Sequence, residues 1–272
     1  MANRKQTIDG TALAATSLGT ALLPSLLSVI AGSADIIGFL GLGGLFTAHI
    51  TGNLAILAAH VASGGKAAVA QILSVPVFIG AVGLTRLLAG ALESIGLTTL
   101  RPLLVLQFLL LAGFFALSVA AGPHIDTNAT NAILAGMLGV SAMAVQNALV
   151  QISLIGAPPT AVMTGNVTRF TMDVAEVLLG GDPDAVARAR TRAKRTGQAI
   201  VGFAVGCGLG ALCEVTVGLW SLALPAGLAL LTLTIELRPV TTPRANQLKG
   251  HELVATQWEL DCDSFQAGMP RE

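Results

Sequence analysis

Pro102 to Ala121 reads PLLVLQFLLLAGFFALSVAA and carries no charge. Wound as an α-helix at about 1.5 Å per residue, it is about 30 Å long, the thickness of a bilayer's hydrocarbon core. The rest of the chain has the same character. Of 272 residues, 53% are hydrophobic and 11% are charged, against about 25% charged in a soluble domain. Such a chain cannot cover its surface with polar groups, so lipid is the expected solvent. Fifteen Lys and Arg balance fifteen Asp and Glu. The balance and the apolar content argue against a disordered chain, a nucleic-acid binder and a soluble enzyme.

The charges are unevenly placed. Between Thr11 and Thr85 only Asp35 and Lys66 are charged, and between Thr196 and Ile235 only Glu214. Beyond Leu237 they crowd together. The expected division is a cytoplasmic N-terminal segment at 1–17, a transmembrane domain at 18–237, and a polar, disordered tail at 238–272. Arg4 and Lys5 ahead of the apolar run Leu18–Ile30 resemble a signal peptide. The run continues to Phe46, too long for one, and reads as a first transmembrane helix. The three cysteines, Cys207, Cys213 and Cys262, are too scattered for a disulfide framework or a zinc site.

Spans are expected near Ala21–Leu45, Ala67–Leu92, Pro102–Ala121, Ala129–Ile155, Gly197–Val215 and Leu219–Leu237. Shorter helices are expected at Leu54–Ala62 and Gly165–Leu179. Asp182 suits an N-cap and Pro183 a first helical position. They open a basic helix carrying Arg188, Arg190, Arg192, Lys194 and Arg195, read as a headgroup-facing anchor. On the polar shorter helix, Arg169, Asp173 and Glu176 share a face at spacings of three and four, which predicts an intrahelical ion-pair face.

The chain also repeats itself. Thr47-Ala48-His49-Ile50-Thr51-Gly52-Asn53 matches Thr160-Ala161-Val162-Met163-Thr164-Gly165-Asn166 at an offset of 113 residues, with five of seven positions identical. Each copy follows a long apolar helix with polar groups, Asp35 in one and Gln146 and Asn147 in the other. Each precedes a short helix and a glycine-rich span, with Gly80 and Gly83 in one copy and Gly202, Gly206, Gly208 and Gly210 in the other. The expected fold is an all-α transmembrane bundle with two homologous halves, about 18–121 and 129–237. It has about six full spans plus two short or broken helices, or eight spans if these cross. Six spans put Arg86, Arg101 and the Arg188–Arg195 cluster on the cytoplasmic side with both termini.

Polar groups inside such a bundle are the candidate site. A charged Asp at the centre of a lone helix costs roughly 2.5–3.5 kcal/mol, so Asp35 is either a cation or proton site or a hydrogen-bonded structural carboxylate. Gly52 and Gly165 let the backbone bend, and Thr51, Asn53, Thr164 and Asn166 are expected to cap the helices that begin there. Broken helices inside lipid persist only when buried or lining a cavity, and transporters pair them across related halves to form a midplane site. His49 reads as a core residue, or beside Asp35 as a proton relay. Gln146 and Asn147 offer neutral amides near the position that Asp35 takes in the other half.

Gly32-Ser33-Ala34-Asp35, Phe46 to Asn53, Gln146-Asn147 and Thr164-Gly165-Asn166 resemble the YoaK-like family of bacterial multi-pass membrane proteins, a family of unknown function. The resemblance covers about Leu18–Leu237 and implies an inner-membrane location without implying an activity. The leading expectation is a small-solute secondary transporter or permease, with a small molecule or ion as substrate and the bilayer as surroundings. The alternatives are a membrane enzyme on a lipid-like substrate, which would need more clustered carboxylates or histidines, and a non-catalytic scaffold or sensor. No catalytic residue, metal site, cofactor or nucleic-acid partner is expected.

Overall fold

Where apolar residues run on without interruption, the backbone satisfies its own polar groups only by coiling into helix, and the structure follows that rule. The computed structural model describes residues 2–63, 69–122 and 129–237, with side chains from Leu22 onward. Among these residues there are eight α-helices and no strand. They are α1 (Ala2–Gly41), α2 (Ile50–Ala62), α3 (Val69–Ser94), α4 (Leu100–Ala120), α5 (Thr130–Ser153), α6 (Met163–Leu179), α7 (Pro183–Val217) and α8 (Ala223–Leu237). A 3₁₀ turn, Gly218–Leu222, joins α7 to α8. The expectation of a disordered tail at 238–272 lies outside the described residues.

Five stretches are long and apolar enough to cross a membrane: Leu22–Gly41, Val69–Ser94, Leu100–Ala120, Thr130–Ser153 and Pro183–Leu237. The last of these turns back on itself. At Gly218 φ is +60°, a backbone state that favours glycine. Gly218 shares a cleft with Gly41 at the end of α1 and Gly122 just past α4. Glu236, near the end of α8, shares another with Glu93 of α3, Arg101 of α4 and Ser153 of α5. The two helices of this stretch therefore run between opposite ends of the bundle, so that six of the described helices pass from one end of it to the other.

The two short helices start inside the bundle. The chain leaves α1 at Gly41, turns through Gly43 and Gly44 at positive φ, and comes back to the level of Asp35 before α2 begins. Near the start of α3, Gln71 Nε2 donates to Gly44 O at 3.3 Å. This fixes the head of α3 at the end of the bundle where α1 finished. The α6 helix likewise follows a return loop after α5. Its end at Leu179 and Gly180 borders one cleft with Gly156–Pro158 and with Arg192 and Arg195. Each short helix thus leads back toward the end from which its chain entered.

The α1–α7 contact is built on small residues. Gly202, Gly206 and Gly210 recur every four residues along one face of α7 and meet Ser25, Val29 and Ser33 of α1. A Cβ at Gly202 would lie 2.8 Å from Ser25 O, and one at Gly210 would lie 3.0 Å from Ser33 O. At Gly206 it would collide with Val29 O, and Gly32 meets the Phe203 backbone in the same way. Without a hydrophobic drive between helices in lipid, this close approach supplies the packing attraction. The expected packing role does not extend to Gly208, Gly80 and Gly83, around which the described residues leave open space.

Two expectations about α7 resolve differently. Asp182 is its N-cap, accepting from the Asp184 and Ala185 amides, with Pro183 as the first helical residue. The basic helix and the following span are not separate elements, because no helix breaker lies between Lys194 and Gly197. Its 35 residues measure about 52 Å at about 1.5 Å per residue. That exceeds a hydrocarbon core of about 30 Å, so the arginine-rich first turns extend past the apolar layer.

Replacing Gly206 with Leu sets a branched side chain against the Val29 backbone, which cannot move aside. The expected loss is at least about 1–3 kcal/mol, the range for overpacking. Gly208→Leu, one turn face away, leaves the thermal unfolding midpoint in detergent within about 2 °C of wild type. Equal losses for both variants would contradict the α1–α7 contact.

Candidate functional site

Asp35 sits in the second half of the α1 span Leu22–Gly41 and is 2% exposed. Its Oδ1 accepts from Ala48 N at 2.7 Å and His49 N at 3.3 Å, and its Oδ2 lies 2.5 Å from His49 Nδ1. One carboxylate thus satisfies two backbone amides of the segment entering α2 and pairs with the imidazole of that segment. Donors on both oxygens offset the cost of burying the charge. The His49 ring is half-buried and packs between Phe46 and Phe203, with centroids 5.8 and 5.4 Å away. Through it, Asp35 on α1 touches both the first return loop and α7.

Asn53 holds the same loop from the other side. It is fully buried. Its Nδ2 donates to Phe46 O and its Oδ1 accepts from Phe46 N, both at 2.8 Å. The amide therefore pairs with both main-chain groups of one loop residue. The expected capping role is corrected by this arrangement. Helix α2 starts at Ile50, with His49 as an N-cap that makes no side-chain capping bond. Asn53 falls inside the first turn and reaches backward, while Thr51 beside it is exposed.

The second loop is held in a related way with one bond fewer. Helix α6 starts at Met163, again with no side-chain cap. Asn166 is fully buried and its Nδ2 donates to Pro159 O at 2.6 Å. The matching residue is now proline, which has no N–H. Asn166 Oδ1 is accordingly buried without a hydrogen-bond partner. Thr164 is exposed and Gly165 half-buried, like Thr51 and Gly52.

Gln146 forms the third polar centre. Its Nε2 donates to Leu27 O at 2.8 Å and Thr160 Oγ1 at 2.9 Å, and its Oε1 accepts from Gln107 Nε2 at 2.6 Å. It joins α1, α4, α5 and the second loop. Leu27 and Asp35 are eight residues apart on α1, about 12 Å along its axis, so the two loops dip to neighbouring depths. Asn147 does not join this centre. It is half-buried, and its Nδ2 bonds back to Met143 O at 2.9 Å.

The structure adds residues that the motifs did not single out. Gln107, Thr160, Thr47 and Gln71 are all fully buried, and Thr47 Oγ1, Gln71 Oε1 and Gln107 Oε1 have no hydrogen-bond partner. Gln107 was detectable as the lone amide in an otherwise uncharged twenty-residue run, and Thr47 and Thr160 as partners at the 113-residue offset. Buried orphans are rare in folded proteins. These three and Asn166 Oδ1 lie near the two loops, while two further orphans, His60 Nδ1 and Ser118 Oγ, lie near the ends of α2 and α4.

Away from these loops, the expected intrahelical ion-pair face on α6 gives way to a pair between helices. Arg192 of α7 donates to Asp173 through Nε at 2.9 Å and to Glu176 through Nη2 at 2.9 Å. An arginine fork reaching from α7 meets both carboxylates, one turn apart, at once. Among the described residues no three His, Cys, Asp or Glu side chains gather as a metal centre.

Residues 23–235 match the family described as "Protein of unknown function (DUF1275)". That is most of the chain, and the protein belongs to this family. Together with its apolar helices, this makes it a multi-pass integral membrane protein. No curated protein and no solved structure matches the chain.

The two asparagines are not equivalent, and this is measurable. Asn53→Ala strands two buried main-chain groups of Phe46, at about 1–3 kcal/mol for each group left unpaired. Asn166→Ala strands only the Pro159 carbonyl. Thermal unfolding is expected to show the larger loss for Asn53→Ala. The reverse order would contradict the bonding of the two loops.

Proposed function

We propose that the protein is a small-solute secondary transporter built from two inverted homologous halves. In this reading, α1–α4 and α5–α8 are the halves, and the 113-residue offset carries α2 onto α6 and Asn53 onto Asn166. The observation that carries it is the pair of buried asparagines, each bonded to the carbonyl seven residues earlier at the head of a helix that begins inside the bundle. Two independent chains of residues rarely reach the same unusual contact by separate routes. Paired interrupted helices in related halves are how membrane proteins expose main-chain polar groups to a solute without exposing them to lipid.

Asp35 and His49 supply the coupling group. They form the only carboxylate–imidazole pair among the described residues, with the carboxylate buried and the imidazole half-buried. Adding or removing a proton there changes the attraction between α1, the first loop and, through the His49 ring, α7. The solute contacts are the polar atoms near the loops that lack partners, Thr47 Oγ1, Asn166 Oδ1 and Gln107 Oε1, together with the exposed hydroxyls of Thr51 and Thr164. These groups suit a small polar solute.

The setting proposed is a bacterial inner membrane with both termini in the cytoplasm. Arg86, Arg101 and the Arg188–Arg195 cluster then share the inner side, as the positive-inside bias requires.

Asp35→Asn tests the coupling role. Asn keeps an acceptor for the Ala48 and His49 amides and a donor toward neutral His49 Nδ1, yet it carries no titratable proton. In proteoliposomes screened with a panel of polar solutes under a pH gradient, wild type is expected to show solute-dependent proton flux. The variant is expected to lose it by at least about tenfold, with a thermal midpoint close to wild type. Flux retained in a stable Asp35→Asn protein would remove the pair from the mechanism. A wild-type protein that moves neither proton nor solute would contradict the transport reading.

A further inference from the structure

The cleft between α6 and the first turns of α7 has about 780 Å³ of free volume and lies outside the polar core. Three guanidiniums, Arg169, Arg192 and Arg195, line it against two carboxylates, Asp173 and Glu176. Asp173 is buried, and both carboxylates are already engaged by Arg192. Among the described residues Arg169 and Arg195 pair with no carboxylate. The cleft therefore presents unmatched positive charge, with Arg190 and Lys194 on the same turns of α7 adding to its field, while Arg188 pairs with Asp182 at 3.8 Å.

Its rim is of the opposite character. Leu179, at the end of α6, is 87% exposed, and Met172, two turns earlier on the same helix, is exposed as well; both line the cleft. Such residues bordering an arginine-lined hollow are poorly matched to water alone and poorly matched to hydrocarbon alone. The cleft also sits where α7 leaves the apolar layer, at the end of the bundle reached by α5. Charge, rim and depth together describe the boundary between headgroups and acyl chains.

We propose that this cleft binds one anionic phospholipid, with its phosphate on Arg169 and Arg195 and its acyl chains along Met172 and Leu179. Guanidiniums recognise phosphate oxygens through paired N–H donors, and basic hollows between membrane helices are where anionic headgroups settle. Arg192, fixed by Asp173 and Glu176, forms the wall between the two phosphate-facing arginines and keeps α6 against α7. A phospholipid with net negative charge fits the site; a zwitterionic one carries the same phosphate but brings an ammonium group toward the arginines and fits it less well. The proposal does not depend on the transport reading, since α6 and α7 form the cleft whatever the core does.

The test uses the full-length protein in a neutral detergent. Phosphatidylglycerol or phosphatidylcholine of matched chains is added, and bound lipid is counted by native mass spectrometry alongside the thermal midpoint. Wild type is expected to retain phosphatidylglycerol at least about tenfold better than phosphatidylcholine and to gain several degrees from it. Arg169→Gln with Arg195→Gln is expected to abolish that preference while the lipid-free midpoint holds. Arg86→Gln with Arg101→Gln, which removes as much charge elsewhere at the same end, is expected to keep it. Equal retention of the two lipids, or an undiminished preference in the Arg169/Arg195 variant, would overturn the proposal. So would inorganic phosphate alone giving the full thermal gain, which would identify a free-anion site.

Discussion

A helix that begins inside an apolar bundle leaves main-chain N–H and C=O groups that lipid cannot satisfy, and the arrangement of this protein follows from how those groups are met. Each unsatisfied group costs several kcal/mol in hydrocarbon. Two loops here create that problem. In the first, the Asp35 carboxylate takes the amides of Ala48 and His49, and Asn53 takes both main-chain groups of Phe46. In the second, Asn166 holds the Pro159 carbonyl, and Gln146 ties Thr160 to α1. The small-residue face between α1 and α7 then brings the helix that carries Asp35 close enough for Phe203 to pack on His49.

The two asparagine contacts differ by one hydrogen bond, and the cause is a single residue. Phe46 has an N–H to give Asn53, whereas Pro159 has none for Asn166. The first loop is pinned at both of its main-chain groups and linked to an acid–imidazole pair. The second keeps an acceptor without a donor in a fully buried position. Under the transport reading this inequality assigns distinct duties, with coupling at the tightly held loop and solute contact at the loop with an open acceptor.

Much of this was legible in the sequence. Uninterrupted apolar runs gave most helices to within a few residues, because lipid-facing and core-facing positions both demand apolar side chains. Asp182 and Pro183 marked the start of α7, since a cap and a first-turn proline act locally. The Thr-Gly-Asn pair marked both interrupted helices. What it concealed was the use of the asparagine. Local propensity suggests a cap, but the side chain reaches back seven residues to the main chain of the loop, a contact that only the folded loop creates. The partner of Asp173 and Glu176 was hidden for a similar reason. Spacing on one helix makes Arg169 a candidate, and only the packing of α6 on α7 brings Arg192 nearer. Gly80 and Gly83 looked like Gly202 and Gly206 in sequence, yet they lie on an exposed face of α3 with open space around them among the described residues, whereas the glycine face of α7 packs on α1.

Labelling of single cysteines at Ser63, just past α2, and at Asp184, at the head of α7, tests the inverted arrangement most directly. In a background lacking the native cysteines, an impermeant thiol reagent is applied to intact cells and then to inside-out vesicles. If neither short helix crosses, Ser63→Cys reacts from outside the cell and Asp184→Cys only in the vesicles. If both short helices cross, the two halves are parallel and the two positions react from the same side, which would contradict the account.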